Sequence, residues 1–441
     1  MSRSLVCALT VLGLTLGACA GVPRTERQTA LNLTSTSPTP WSEDFGDVEL
    51  RALLRRADLG NLDIKSALAR LERAEADAAL ARSGRSIHIV TGQSGVIGGE
   101  TFGQSRFGAS PTLEASYEVD LWGRLQQEIA SADSETAAGE IDVEGARRLV
   151  AASTVKAYIE FRYAQQAEAS ARRNSGFIGS RRDLIRIRAN AGAAGADDVL
   201  EADTMVSDAA AVEQASATEI LIQRLRLQAL LGGVTDLDIP SGDLPGIVTV
   251  PGEAVASDDV DARPDVRSAF ARLRGADSRR AAAIAATRPE FRIVAALGTP
   301  DAAFASLLDV RALAWAAAAG LTHAVADGGA NRARVDQASA DADLAELNWR
   351  NAVVDGWVDL QIAVQLDAAG SAELALARQH FDEARTRLHL AERRHHEGTI
   401  DGVAMAVAQV SLEEAGLAVA RAQAQLLQRR ALLRLASGGA A

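Results

Sequence analysis

Asn61-Leu62-Asp63-Ile64-Lys65-Ser66-Ala67-Leu68-Ala69-Arg70-Leu71 returns later in the chain as Arg263-Pro264-Asp265-Val266-Arg267-Ser268-Ala269-Phe270-Ala271-Arg272-Leu273. Asp, Ser, two Ala, Arg and Leu coincide in register at a spacing of 202 residues. Two further anchors follow in the same order. Arg188 to Gly192 matches Arg394 to Gly398, and Leu227 with Gly232-Gly233 matches Leu433 with Gly438-Gly439, each at a spacing of 206. Helices rich in Ala, Arg and Leu resemble one another by composition alone. Composition does not place glycine pairs and aspartates at matching offsets, so the chain reads as an internal duplication with repeats at 47–233 and 263–436. Between them, 234–262 carries Pro240, Pro245 and Pro251 among Asp and Gly and reads as an extended linker.

Each repeat has the same internal order. A first helical stretch, 47–84 and 263–287, carries apolar residues at helical spacing, as in Leu50, Leu53, Leu54 and Ala57. A Gly- and Ser-containing stretch of β character follows at 87–119 and 291–325, where Ile87-His88-Ile89-Val90 and Phe291-Arg292-Ile293-Val294 alternate. Then come long helical stretches without proline, 125–190 and 330–397, each ended by a glycine-containing break. A second helix returns at 197–231 and 403–436. Helices of this length, roughly 100 Å, exceed any globular core and must be stabilised by lateral neighbours. Their stripes are rich in alanine, with Val155, Tyr158, Ile159 and Phe161 in one repeat and Leu360, Ile362, Val364 and Leu366 in the other. Small residues permit the close approach of a packed helical cylinder.

The two cysteines, Cys7 and Cys19, stand near the N-terminus, which leaves the body without disulfides, thiolate metal sites or a cysteine nucleophile. Arg3 precedes the apolar run Leu5–Leu16, too short for a stable bilayer span and of signal-peptide form. Leu16-Gly17-Ala18-Cys19 ends it in the pattern of a bacterial lipobox, so 1–18 reads as a signal peptide and 19–46 as an extension lipidated at Cys19. Ala20 and Gly21 lack the aspartate associated with inner-membrane retention, which favours the outer membrane. A formal charge of −12 argues against a nucleic-acid partner, since phosphates require a basic face. No other stretch is an uninterrupted apolar run long enough for a spanning helix, so any crossing of a membrane must use strands in a closed barrel. Two hairpins give four strands, while a membrane barrel needs at least eight. One chain cannot close a barrel, and three chains would supply twelve strands.

Residues 117–125, Tyr-Glu-Val-Asp-Leu-Trp-Gly-Arg-Leu, resemble the W-E-L-D-L-W-G-R signature of the outer membrane factor family (TolC/OprM-like), in its RND-type efflux lipoprotein branch. Ala262-Arg263-Pro264-Asp265-Val266-Arg267 is similar to that family's R-R-P-D-V/I-R. Trp41, Phe45 and Leu50 resemble its approach to the first helix, and Asp327-Gly328-Gly329 with Arg332 and Gln337 resembles its F-D-G-G-x-R stretch. The resemblance implies a mainly α fold with a small β part: long antiparallel coiled-coil helices, and four strands per chain in a trimeric twelve-stranded barrel. It implies an outer-membrane exit duct with a periplasmic helical tunnel, which works with a periplasmic adaptor and an inner-membrane pump. A periplasmic coiled-coil adaptor and a non-conducting structural lipoprotein are the alternatives; adaptors carry one hairpin, and this chain has two.

Family ducts close at the helix–helix breaks, which places the candidate gate at Asp401 in the second break and at Asp197 and Asp198 in the first. In a trimer each becomes a ring of three carboxylates that sets a cation preference. Capping of the returning helix is the competing role for all three. Asp120, Trp122 and Gly123 are expected to shape the strand-to-helix junction. His395-His396-Glu397 reads as a solvated helix end, since adjacent histidines on a helix diverge by about 100°. Neither a metal, a cofactor nor an enzymatic site is expected.

Overall fold

Asn61, which opens the first of the duplicated stretches, marks a joint between helices. In the computed structural model, α1 (Val48–Gly60) ends there and α2 (Leu62–Ser83) begins. The first helical stretch, read as continuous over 47–84, is therefore two helices. The Asn61 N–H still closes α1 on Ala57 O at 2.9 Å. Its Oδ1 accepts from the Asp63 and Ile64 N–H groups at 2.8 and 3.3 Å, capping α2. One residue thus serves both helix ends, by its backbone for α1 and its side chain for α2.

The chain continues through β1 (His88–Gly98), β2 (Arg106–Val119), α3 (Arg124–Asn190) and α4 (Ala196–Leu230). The second repeat runs through α5 (Pro264–Ala285), β3 (Glu290–Gly298), β4 (Ala314–Thr322), α6 (Ala330–His396) and α7 (Gly402–Ala436). The residues described are 46–98, 106–233, 239–246, 260–298 and 314–437, and all belong to one compact unit, Glu43–Ala441. The signal peptide, the lipobox with Cys19, Trp41, Phe45, most of the linker and Gly438-Gly439 lie outside them. α2 and α5 have 22 residues each, α3 and α6 have 67, and α4 and α7 have 35.

Asn61 also explains how short helices stand beside long ones. Its Nδ2 donates to Leu230 O, the last residue of α4, at 2.8 Å. α2 therefore starts where α4 stops. In the second repeat Arg263 Nη1 donates to Ala436 O, the last residue of α7, at 3.2 Å, and α5 starts there. Residues 61 and 263 match at offset 202 and residues 230 and 436 at 206, so different side chains make the same repeat contact. The first joint is tight enough to require glycine: a Cβ on Gly232 (φ +85°) would lie 1.9 Å from Gly60 O.

Helix packing then gives a row of four columns: α2 with α4, then α3, then α5 with α7, then α6. Apolar cores lie between columns. Ala57, Ile64 and Val150 form one, and Val260, Val266, Leu360, Ala363, Leu433 and Ala436 form another. Among the described residues α7 is the one helix long and apolar enough by composition to cross a bilayer. Little of its most apolar stretch is buried, while nearer its C-terminal end Leu426 packs near Leu374 and Leu433 near Leu360.

α3 also anchors α1 and the linker through a buried cation. Arg162, 2% exposed, donates from Nε to Tyr158 Oη at 2.9 Å and from Nη1 to Pro240 O at 2.5 Å, and its Nη2 pairs with Glu49. Tyr158 in turn donates to Asp47 Oδ2 at 2.7 Å. Burial, reinforced by the Asp47 carboxylate that accepts its proton, pushes the Tyr158 phenol above its ordinary value. Gly242 lets the linker come this close, since a Cβ there would meet Arg162 Nη1 at 2.8 Å.

The strands form one antiparallel sheet in the order β1-β2-β3-β4. Register pairs His88 with Ser116, Ser116 with Val294, and Glu290 with Thr322.

Candidate functional site

Strand alternation divides the sheet into two chemically different faces. Ile89, Leu113, Tyr117, Ile293, Leu297, Trp315 and Leu321 share one face by register, and all of them are exposed. The opposite face carries His88, Thr112, Glu114, Ser116, Glu118, Glu290, Arg292 and Thr322. An apolar exterior and a charged interior are what a barrel with a wet lumen in lipid requires. The sheet joins α3 through Asp120, Trp122 and Gly123. Asp120 Oδ2 accepts from Gln126 N at 2.9 Å, in the first turn of α3. Gly123 (φ +76°) supplies the left-handed residue at the turn. Trp122 Nε1 donates to Pro289 O at 2.8 Å, tying this junction to the one between α5 and β3. In the second repeat Asp327 accepts from Gly329 N and Asn331 N at 2.9 and 2.8 Å, and these two backbone donors hold its carboxyl below the usual range.

The helical ends away from the sheet are the breaks between α3 and α4 and between α6 and α7. Each break is a glycine turn of one type. Ala193 N donates to Arg188 O at 2.8 Å around Gly192 (φ +72°), and Thr399 N donates to Arg394 O at 2.9 Å around Gly398 (φ +74°). This accounts for the Arg-to-Gly anchors shared by the repeats. His395 Nδ1 donates to Ile400 O at 3.2 Å inside the second turn.

Asp401 does two things. Its Oδ1 accepts from Ala404 N at 2.9 Å, capping α7, while its Oδ2 forms an ion pair with Arg188 at the end of α3. Gly402 lies against Leu184 of α3, whose Cδ1 would stand 2.8 Å from an added Cβ. The second break is thus fastened to the first helical hairpin. Asp198 instead turns back on its own helix, accepting from Gly195 N at 2.7 Å. Asp197 lies exposed in the same first turn. Sequence reasoning placed Asp401 but missed Arg188 and Leu184 as its neighbours. Arg188 was visible as a repeat anchor, yet nothing local in the sequence pairs it with a residue 213 positions away.

Residues 53–233 and 257–439 match the family described as outer membrane efflux protein. The chain belongs to that family. Both repeats are matched, which sets this efflux channel apart from single-hairpin adaptors. It is 26% identical to outer membrane protein OprJ of Pseudomonas aeruginosa, over 88% of this chain and 86% of that protein. It is 26% identical to the toluene efflux pump outer membrane protein TtgF of Pseudomonas putida, over 84% and 79%. The solved outer-membrane channel OprN superposes with a TM-score of 0.80 at 26% identity, covering 93% of this chain and 96% of that one. The fold expected from the sequence, mainly helical with a small four-stranded β part, is the fold observed. The chain is an outer-membrane efflux channel of the kind used by tripartite pumps, and its relatives are channels rather than enzymes.

Proposed function

We propose that this channel is a lipid-anchored homotrimer whose periplasmic tip is held shut until an adaptor and an inner-membrane pump engage it, after which small molecules pass without further chemistry. Residues 1–18 act as the signal peptide, and 19–46 as an extension anchored to outer-membrane lipid through Cys19. Residues 47–233 and 263–436 are the two channel repeats, joined by the linker 234–262 and followed by a tail at 437–441. Twelve strands from three copies close the barrel, and the helix columns form the tunnel.

The observation that carries the closed tip is the Asp401–Arg188 ion pair, which fastens the returning helix of one hairpin to the outgoing helix of the other. Opening the tip needs these hairpins to move apart, and the pair opposes that movement. Asp197 and Asp198 contribute carboxylates at the matching end of the first hairpin, so three copies place several acidic rings around the exit. Such rings favour hydrated cations. Single-channel recording in planar bilayers tests the lock. Asp401→Asn keeps a side chain that caps a helix well but removes the charge. It is expected to raise the open fraction and conductance above those of the unmodified channel. Unchanged conductance would leave Asp401 as a helix cap only.

A further inference from the structure

α3 presents two unlike sides. On one side Arg162 and Gln166 hold the linker through Pro240 O and Asp243, and Gln423 of α7 joins them by donating to Pro245 O at 3.1 Å. Ala171 and Ile178 lie roughly half a turn round α3 from Arg162, and Glu414 and Arg421 lie roughly half a turn round α7 from Gln423. On that opposite side α3, α4 and α7 leave a recess of about 430 Å³. Small-molecule sites occupy roughly 300–1,000 Å³. Straps laid inside a tunnel would obstruct it, so the linker marks the outside of the wall and the recess opens on the tunnel. That placement rests on the proposed tunnel.

The walls of the recess are mostly apolar, with Ala167, Ala171, Val212, Val410 and Leu417. Two acids break them. Asp208 on α4 and Glu414 on α7 occupy matched positions of the two repeats, at the offset of 206. Neither has a hydrogen bond or ion pair among the described residues, whereas neighbouring Glu413 takes Arg173 and Ser170. Cross-helix contacts fix their heights. Arg181 with Met205 and Arg172 with Glu213 set α4 against α3, while Tyr163 with Arg421 and Arg173 with Glu413 set α7. Asp208 then stands near the level of Ile178 and Glu414 near that of Ala171, about 10 Å apart along α3. Asn174 lies between those levels, and its Oδ1 is shielded from water without a hydrogen-bond partner among the described residues. A buried acceptor left unpaired carries a free-energy cost, which a donor entering the recess would remove. The cations stand at the two ends: Arg421 donates to Tyr163 Oη at 3.0 Å, and Arg181 turns to Met205.

We propose that this recess binds organic ammonium ions with an apolar body, taking the body against Val212, Val410 and Leu417 and the ammonium beside Asn174, between the two carboxylates. Such an ion supplies the N–H donors that Asn174 Oδ1, Asp208 and Glu414 lack, and its charge is opposite to that of the acids. Partial enclosure lowers the local dielectric and strengthens the attraction. The tunnel wall then offers cationic cargo a stopping place on its way out. Isothermal titration calorimetry of the detergent-solubilised full chain reads the site, with benzylammonium as probe and benzyl alcohol as its neutral analogue. Saturable binding of benzylammonium is expected, about tenfold or more tighter than benzyl alcohol, the factor that a charge-assisted hydrogen bond supplies. Asp208→Asn and Glu414→Gln should each weaken it about five- to tenfold, and Val212→Trp should abolish it by filling the recess. All three residues are exposed, so the variants should fold, and thermal midpoints beside that of the unmodified channel check this. In planar bilayers the same probe should lower the current of the unmodified channel and leave that of the Asp208→Asn, Glu414→Gln double variant unchanged. Binding that survives in the double variant, or that benzyl alcohol matches, would overturn the site and leave the channel standing. Binding without block would overturn its place in the tunnel. A protein that carries no current, even as Asp401→Asn, would remove the duct reading instead, and the calorimetry would still decide the recess.

Discussion

Arg263 occupies the position that Asn61 holds in the first repeat, and it is held in place by an acid. Asp265 accepts from Arg263 Nη2 at 2.7 Å and from Nε at 3.1 Å, and Val266 N donates to it at 3.0 Å. Burial alone would raise the Asp265 carboxyl, but Arg263 outweighs it and holds that carboxyl below the usual range. A carboxyl depressed in the folded state stabilises above its unfolded value, near 3.9, and loses that contribution as pH falls through the folded value. Asp265→Asn should therefore be less stable than the unmodified channel at pH 7, by about 1 kcal/mol or less for a pair this exposed. Its deficit should shrink as pH drops below about 4. Denaturation midpoints of both proteins at pH 7 and pH 3 give the comparison. A deficit that stays constant across that range would show that Asp265 acts through its shape rather than its charge.

At the scale of elements, the joints between stacked helices set which column each helix joins. Asn61 is the more exacting of the two joints, since its backbone N–H closes α1 while its side chain caps α2 and reaches Leu230 O. Asn61→Ala removes the cap and the cross-joint bond together, and a loss of roughly 1–2 kcal/mol is expected from the cap alone. Chemical denaturation measures it, and a loss under about 0.5 kcal/mol would mean that water replaces the joint at little cost. The long helices were legible in the sequence because their period persists over many turns without proline. The strands were legible because alternation follows a clear helical stop. The joint at Asn61 was not, because the helical period passes through it almost unbroken. Arg162 was also illegible: its partners Glu49 and Pro240 lie 113 and 78 residues away, and no local pattern marks an arginine buried by a tyrosine and a carbonyl. The helix breaks divided in the same way. Helix breaks with nearby aspartates stand out locally, whereas the choice of Arg188 as the partner of Asp401 depends on how two hairpins lie side by side.

For the whole molecule, the surfaces left bare decide what a folded unit is. Among the described residues a single chain presents two strand edges, with an apolar sheet face and exposed leucines on α4 and α6. Backbone groups on a bare edge have no water to bond in a bilayer, so an isolated chain cannot hold its sheet there. Folding and assembly should then be one event, as in oligomers that have no stable monomer. Partial denaturation of the detergent-solubilised channel, followed by native electrophoresis and limited proteolysis of the same samples, tests this. Loss of the trimer and loss of protease resistance in the body should share one midpoint, and that midpoint should rise with protein concentration. A protease-resistant monomer at intermediate denaturant would show that the helix columns stand without their neighbours, and assembly would then be a separate, later step.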